Sequence, residues 1–378
     1  MSGAIVHEWI ESTGGAEKVV ESFIDLFPGT DVFCLWDDAP GRFKGVDINE
    51  SVLSRTPLRH SKALALPVMP LTWRYMRGEH DWALVSSHLF AHHVRFTNSP
   101  DIEKYVYVHT PARYLWNPEL DSRGNSRIIR SISPIFRSID RRRANESSNY
   151  VANSNFVRER IASSWGIEAN VIHPPVDVEK IQSESDWRDR LGAQDAQTLE
   201  NLPSEFILGA SRLVEYKRMD AVIRAGAAAK IPVVIAGSGP DLERLKAIAQ
   251  QSNAPVVFLG RVSDELLYAL YNQCTVYAFL GVEDFGIMPV EAMAAGGRVV
   301  ANRVGGAGES LVNGESGALC NPDDLQELLA AISDASGIDR NSCRRRASKF
   351  SENRFKQEIA SWVGHDRVPG HGTQIETK

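Results

Sequence analysis

Short apolar runs alternate with stretches in which apolar residues recur every three or four positions, along most of the chain. Unbroken apolar runs suit strands covered on both faces, and the three–four rhythm suits amphipathic helices. Strands are expected near residues 4–8, 31–35, 82–86, 104–108, 149–153 and 170–173. A helix follows the first of them: Ala16, Val19, Val20, Phe23, Leu26 and Phe27 share a face, and Pro28 stops it. The segment 174–203 breaks the rhythm. It is polar, opens with Pro174-Pro175 and closes on Pro203, so a domain boundary is expected near 180–200. Strands then resume at 206–210, 232–236, 255–259 and 275–279. This is an α/β pattern with parallel sheets: two Rossmann-like halves, 1–185 and 200–349, with a natural site in a cleft between them. The polar tail from about 364, with Gly370 and Gly372, is expected to be disordered.

At 378 residues the chain exceeds the usual limit of a single core, which again favours two domains. The net charge of -6 argues against nucleic acid as a partner of the whole chain. Cys34, Cys274, Cys320 and Cys343 lie far apart, which suits reduced thiols in a cytoplasm. The first residues read as a strand rather than a signal segment, and no run of about 18 apolar residues is present to span a membrane.

Candidate chemistry gathers where strands end. Gly14-Gly15 separates the first strand from its helix, as a plain turn or as a place where an anion meets the helix N-terminus. Arg212 and Lys217 follow the first strand of the second half, as solvated charges or as cations for a diphosphate. Gly237-Ser238-Gly239-Pro240 is a turn, or a loop that lets a nucleotide lie close. The most specific segment is 283–291. Phe285-Gly286 allow a bend, and a helix begins around Ile287, Met288 and Pro289 with unpaired amides that favour an anion. Glu283 and Glu291 flank the bend and can accept hydrogen bonds from sugar and ribose hydroxyls. Each alone reads equally as a cap neighbour or an exposed helical acid. His109, Arg113, Tyr114 and Trp116 close a first-half strand, where aromatic rings suit sugar faces and core packing alike. No Asp-x-Asp, no His/Cys/Asp group with ligand spacing, no Gly-x-Ser-x-Gly and no Walker loop occurs. No metal cofactor is therefore expected.

In order and spacing, several segments resemble family 4 of the retaining glycosyltransferases. They are Gly14-Gly15-Ala16-Glu17, Val151-Ala152-Asn153-Ser154-Asn155, Val171-Ile172-His173-Pro174-Pro175, Arg212 with Lys217, the 237–240 turn, Phe258-Leu259-Gly260-Arg261-Val262, the Glu283 to Glu291 segment and Gly305-Gly306. The resemblance spans nearly the whole chain. It implies the GT-B architecture, two Rossmann-like domains with parallel sheets facing a central cleft. The N-terminal domain would bind the acceptor and the C-terminal one the nucleotide sugar, with a closing helix near 350–363 returning to the first.

The same resemblance implies residue roles. Arg212 and Lys217 would bind the donor diphosphate and Glu291 the ribose. Glu283 and the amides of Phe285, Gly286, Ile287 and Met288 would hold the sugar and a phosphate. Gly15 would lie near the diphosphate, Gly237 near the nucleotide, and Arg261 and Val262 beside the base. His109 would sit beside the transferred sugar. Gly14, Arg113, Tyr114 and Trp116 are acceptor-side candidates, and His109, Arg212, Lys217 and Glu283 the catalytic set. One departure is Gly297-Arg298-Val299, where many members carry proline before the valine. It is expected to alter how a strand begins rather than the chemistry.

His109 to Trp116, Ser86-Ser87-His88 and 66–71 are similar to the mannosyltransferase branch that builds O-antigens and exopolysaccharides. GDP-mannose is thus the favoured donor, with UDP-hexoses and deoxysugar donors open. The expected reaction is metal-independent transfer with retention onto a lipid-linked glycan, the cations and helix amides stabilising the leaving phosphate. A sugar-nucleotide epimerase fits less well, because elimination needs acid–base residues. A binding module fits less well too, because the polar set is complete.

Residues 53–77 mix Leu53, Leu58, Leu64, Leu66, Leu71 and Trp73 with Arg55, Arg59, Lys62, Arg74 and Arg77. Arg137 and Arg141-Arg142-Arg143 add a second basic patch. This reads as a core helix with solvated arginines, or as a contact with an anionic membrane. The expected location is cytoplasmic, peripheral on the inner face of the membrane under the second reading.

Overall fold

The computed structural model describes residues 2–12, 14–117, 127–252, 255–364 and 367–368. Gly370 and Gly372 of the polar tail lie outside them. The chain forms two compact units, Met1–Pro175 with Asn353–Lys378, and Val176–Glu352. The crossing falls at Pro175, before the 180–200 region expected from polarity. Val176, Val178, Ile181, Trp187 and Leu199 explain the difference. They are buried in the second unit's core, so this polar segment carries a widely spaced apolar stripe.

The first unit is built on seven strands: β1 (Gly3–His7), β2 (Asp31–Cys34), β3 (Ile48–Glu50), β4 (Trp82–Ser87), β5 (Glu103–Val108), β6 (Asn149–Ala152) and β7 (Asn170–Val171). Their order is β3-β2-β1-β4-β5-β6-β7, with every neighbour parallel. Side chains alternate between two cores. Ala4 and Val6 face Trp73 and Val85, whereas Ile5 faces Val19, Phe23 and Tyr107. The helix Gly15–Leu26 covers this second face. The closing helix Glu352–Val363 lies beside it, with Phe355 stacked on Phe23 at 5.9 Å and Lys356 paired to Asp25. β3 has no apolar run to announce it.

Residues 53–77 do not form the core helix that was one reading of them. Pro57, Pro67 and Pro70 divide the stretch into short helical turns. A buried carboxylate organises the opposite core. Asp140, on the helix Arg127–Ala144, accepts hydrogen bonds from Trp116 Nε1 (2.7 Å), Trp165 Nε1 (2.8 Å) and His93 Nε2 (2.9 Å). His92 Nε2 lies 3.1 Å away. Burial, reinforced by the neighbouring His92, brings His93 down to about 4, so it faces Asp140 as a neutral donor.

The second unit holds β8 (Ile207–Ala210), β9 (Val233–Ala236), β10 (Val256–Gly260), β11 (Val276–Phe279), β12 (Val299–Asn302) and β13 (Gly317–Cys320). Their order is β10-β9-β8-β11-β12-β13, again all parallel. Arg298, at the departure from the family pattern, sits just ahead of β12 and donates to the Ile338 carbonyl (2.8 Å). Each sheet reverses its direction of growth once, between β1 and β4 and between β8 and β11. Doubly wound parallel sheets bind ligands outside the carboxyl ends of their strands at such points.

Candidate active site

The carboxyl ends of β10, β9, β8, β11 and β12 follow one another along one edge of the second sheet. Each releases a loop that carries a sequence motif. Arg261 and Val262 follow β10, Gly237 follows β9, and Arg212 and Lys217 follow β8. Glu283 to Glu291 follow β11, and Gly305-Gly306 follow β12. The topology therefore gathers motifs that are widely spaced in the chain.

At the reversal between β8 and β11, Lys217 Nζ lies 2.6 Å from Glu283 Oε1, with both side chains mostly buried. The ammonium also lies over the Phe279 and Tyr216 rings, at 5.2 and 5.5 Å. The next residue, Arg218, is left-handed at φ 59°, a backbone state that costs about 1 kcal/mol or more for a residue with a side chain. Its guanidinium is held by Asp220 and Asp323. The turn that presents Lys217 is thus locked from behind.

Glycines let the neighbouring loops close onto this point. A Cβ on Gly306 would stand 1.9 Å from the Asp284 carbonyl, and the Gly306 N–H donates to Glu283 O at 2.7 Å. Gly286, at φ 90°, starts the helix Ile287–Ala294, and Phe285 is buried against Phe350. The first-turn amides of that helix have no intrahelical acceptor. Gly237 has a packing reason as well: a Cβ there would meet the Ser211 carbonyl at 1.8 Å. Arg261 Nε donates to Ser238 Oγ (3.2 Å) and so joins the β9 and β10 loops. Arg212 is exposed and makes no ion pair among the described residues, and Glu291 is half-buried on its helix.

In the first unit, His109 follows β5. Its Nε2 lies 2.8 Å from Ser86 Oγ, which lies 3.0 Å from His7 Nδ1. Burial, and then the nearby His88 and His7, holds His109 well below the usual histidine range. Gly14 and Gly15 open the first helix, but the negative charge expected there is the chain's own. Glu17, buried in the first turn, accepts from the Glu11 amide, and its carboxylate lies 2.0 Å from where a Gly14 Cβ would be. Burial raises this carboxyl. Arg113 and Tyr114 are half-buried in the turn Arg113–Trp116. Trp116 commits its N–H to Asp140 and carries Arg137 and Arg141 over its ring, at 5.5 and 5.4 Å.

Sequence spacing hid two groups that folding assembles, His7 with Glu8 and His88, and His92 with His93 and Asp140. Their members are brought together by the pairing of β1 with β4 and by the helix Arg127–Ala144. The basic–apolar stretch is reduced. Arg59, Lys62 and Arg74 are spent on Asp38, Glu11 and Glu146, and Leu53, Leu66 and Trp73 are buried. Val52, Leu71 and Tyr75 remain exposed, with Arg55 and Arg77, around a groove of about 880 Å³. Among the described residues no helix is long and apolar enough to cross a membrane. All four cysteines are buried free thiols.

Residues 13–180 match the family described as Glycosyltransferase Family 4, and residues 192–354 match Glycosyl transferases group 1. The chain belongs to the family 4 glycosyltransferases. It is 27% identical over 361 residues to the GDP-mannose-dependent alpha-(1-6)-phosphatidylinositol monomannoside mannosyltransferase of Mycolicibacterium smegmatis, covering 87% of each chain. It is also 27% identical to O-antigen chain mannosyltransferase C of Escherichia coli, over 56% of this chain and 54% of that one. Among solved structures, Anabaena Alr3699/HepE in complex with UDP superposes with a TM-score of 0.70 at 20% identity, covering 96% of this chain and 99% of that one. Sucrose-phosphate synthase of Thermosynechococcus elongatus gives 0.71 at 16% identity, covering 96% and 98%. The fold is GT-B, and this family 4 glycosyltransferase is mannosyltransferase-like in its relatives.

Proposed function

We propose that this glycosyltransferase moves mannose from GDP-mannose, with retention, onto a lipid-linked glycan, and that no metal ion serves the diphosphate. The observation that carries the reading is the Lys217–Glu283 contact at the reversal of the second sheet, next in the chain to the N-terminal turn of the helix Ile287–Ala294, whose first amides have no acceptor within the helix. Cation and amides meet the developing charge of a leaving diphosphate, and Glu283 accepts from the sugar hydroxyls. Arg212, exposed and unpaired by any carboxylate among the described residues, gives the second cation. Glu291 holds the ribose, and Arg261 with Val262 flanks the base. His109, neutral within its buried surroundings, serves the transferred sugar from the first unit. That unit, with Gly14, Gly15, Arg113 and Tyr114, supplies the acceptor side.

Mannose is favoured by the names of the curated relatives, which act with GDP-mannose or build mannose chains. UDP-hexose is the second reading, favoured by the UDP in the Anabaena structure. A thermal-shift screen separates them. GDP-mannose should raise the melting temperature where UDP-glucose does not, since ligand at 100 times Kd adds about 2.7 kcal/mol to the native state. A shift with UDP-glucose alone would replace the donor.

The lipid acceptor rests on the groove rimmed by Val52, Leu71, Tyr75, Arg55 and Arg77. Apolar residues beside Arg55 and Arg77, which make no ion pair among the described residues, suit the anionic inner face of a cytoplasmic membrane, although Glu50 lines the same groove. The protein should float with vesicles containing anionic lipid and stay behind with neutral ones. Equal behaviour in both would remove the membrane from the reading.

A further inference from the structure

We propose that His7, Glu8 and His88 bind one divalent transition-metal ion, zinc by preference, at the reversal point of the first sheet. All three residues belong to the first unit, whereas Lys217 and Glu283 belong to the second. His7 ends β1 and pairs in register with Ser86 of β4, so Glu8 and His88 leave adjacent strands side by side. One ligand atom from each of the three residues falls within 4.8 Å of the others. Glu8 Oε2 and His88 Nδ1 are 3.3 Å apart. Two donors at roughly 2.1 Å from a tetrahedral zinc would be separated by about that much.

The supporting hydrogen bonds match what a metal requires. His7 directs Nδ1 at the Ser86 carbonyl and hydroxyl, at 3.3 and 3.0 Å. Donation from Nδ1–H leaves a lone pair on Nε2, and that atom is buried without a hydrogen-bond partner. An oxygen that holds one ring nitrogen, with a bare lone pair on the other, is how metal-bound imidazoles are held. Glu8 is fully buried, and its Oε1 accepts from the amides of Leu89 (2.8 Å) and Ala91 (2.9 Å). That fixes the carboxylate with Oε2 turned toward His88. The Trp9 ring stands edge-on to the His88 imidazole at 4.9 Å and limits its rotation. The His88 side chain is 25% exposed, so an ion has a way in.

The second group lacks these properties. Asp140, His92 and His93 have side chains with no exposure, and the Asp140 oxygens already take three hydrogen bonds. Two imidazoles and one carboxylate form a zinc-type set with a fourth position left for water. Ser86 also touches His109, so an ion on His7 would be felt one hydroxyl away from the proposed sugar-side histidine.

The test uses the whole chain, stripped with chelator and titrated with Zn²⁺ by calorimetry and with Co²⁺ by visible absorption. One ion per chain is expected, with the cobalt bands of a nitrogen–oxygen ligand set. Ser86→Ala should weaken binding about 10–100-fold, because the His7 ring loses the hydroxyl that orients it, and His88→Ala should weaken it further. His88→Asn gives the same comparison if the alanine variant does not fold. Absence of a stoichiometric site in the wild type, or unchanged affinity in the folded His88 variant, would overturn the proposal.

Discussion

Replacing Lys217 by alanine is expected to slow turnover by a factor of about 100 or more, because one preorganised charge at a developing anion contributes about 3 kcal/mol. The geometry gives the reason. Before donor arrives, the ammonium and the Glu283 carboxylate neutralise each other at 2.6 Å, above aromatic rings that keep much water away. In the proposed reaction a diphosphate would compete for the same ammonium, with a claim that grows as the bond to the sugar breaks. The part of the interaction that grows toward the transition state should appear in kcat, and kcat/KM should fall further, because the charged diphosphate is already held in the bound donor. Steady-state release of nucleotide measures it, with a melting curve to establish folding. Glu283→Ala should lower turnover as well, and the double variant should lose less than the two single losses combined, because the pair acts together. Wild-type kinetics in a folded Lys217→Ala protein would take the residue out of the reaction.

The second unit was legible because its motifs are local. Each lies in the few residues after a strand, and each strand is an apolar run such as Val233–Ala236 or Val276–Phe279. Reading strands therefore also located loops at a sheet edge. Their grouping around Lys217 and Glu283 depends on strand order, which no local pattern carries. The glycines were visible, but their reason was not. Gly237 and Gly306 are demanded by carbonyls of other loops, at distances only the fold creates. The unit division at Pro175 is not visible in local polarity, because Val178, Ile181 and Trp187 are diluted among charges.

The first unit concealed more. His7, Glu8 and Asp140 look like ordinary polar residues in sequence, and their importance comes from partners about eighty positions away or from wholly buried surroundings. Polar residues inside a core are chosen by hydrogen-bond partners rather than by periodicity, so hydropathy cannot find them. Trp116 illustrates the cost of that blindness. In sequence its ring suits a sugar face and core packing alike, and only the fold shows that its N–H is committed to Asp140 and that two arginines lie over the ring.

Asp140→Ala is the substitution expected to cost most stability, about 3–5 kcal/mol, the range found when a buried charge network loses one partner. The carboxylate is fully buried and satisfies the N–H groups of Trp116, Trp165 and His93. Alanine would orphan all three, each at about 1–3 kcal/mol, in a space closed to water. Asp140→Asn separates charge and hydrogen bonding from volume. It keeps the shape but turns one acceptor into an NH2 group, which faces either the two indole donors or the histidine donor. With its NH2 toward the imidazole, which in its other tautomer accepts at Nε2, the amide oxygen keeps both indole donors and only the charge is lost, so the asparagine variant should fall by less than the alanine one. For a unit of this size each 1 kcal/mol lowers the melting temperature by roughly 2–4 °C, so a drop of about 10 °C is expected in calorimetry. Because Asp140 also ties the Arg113–Trp116 turn to the Ala91–His93 turn, acceptor KM should rise in whatever fraction remains folded. An asparagine variant as stable as the wild type would mean that the cavity's shape, and not its anion, holds these elements together.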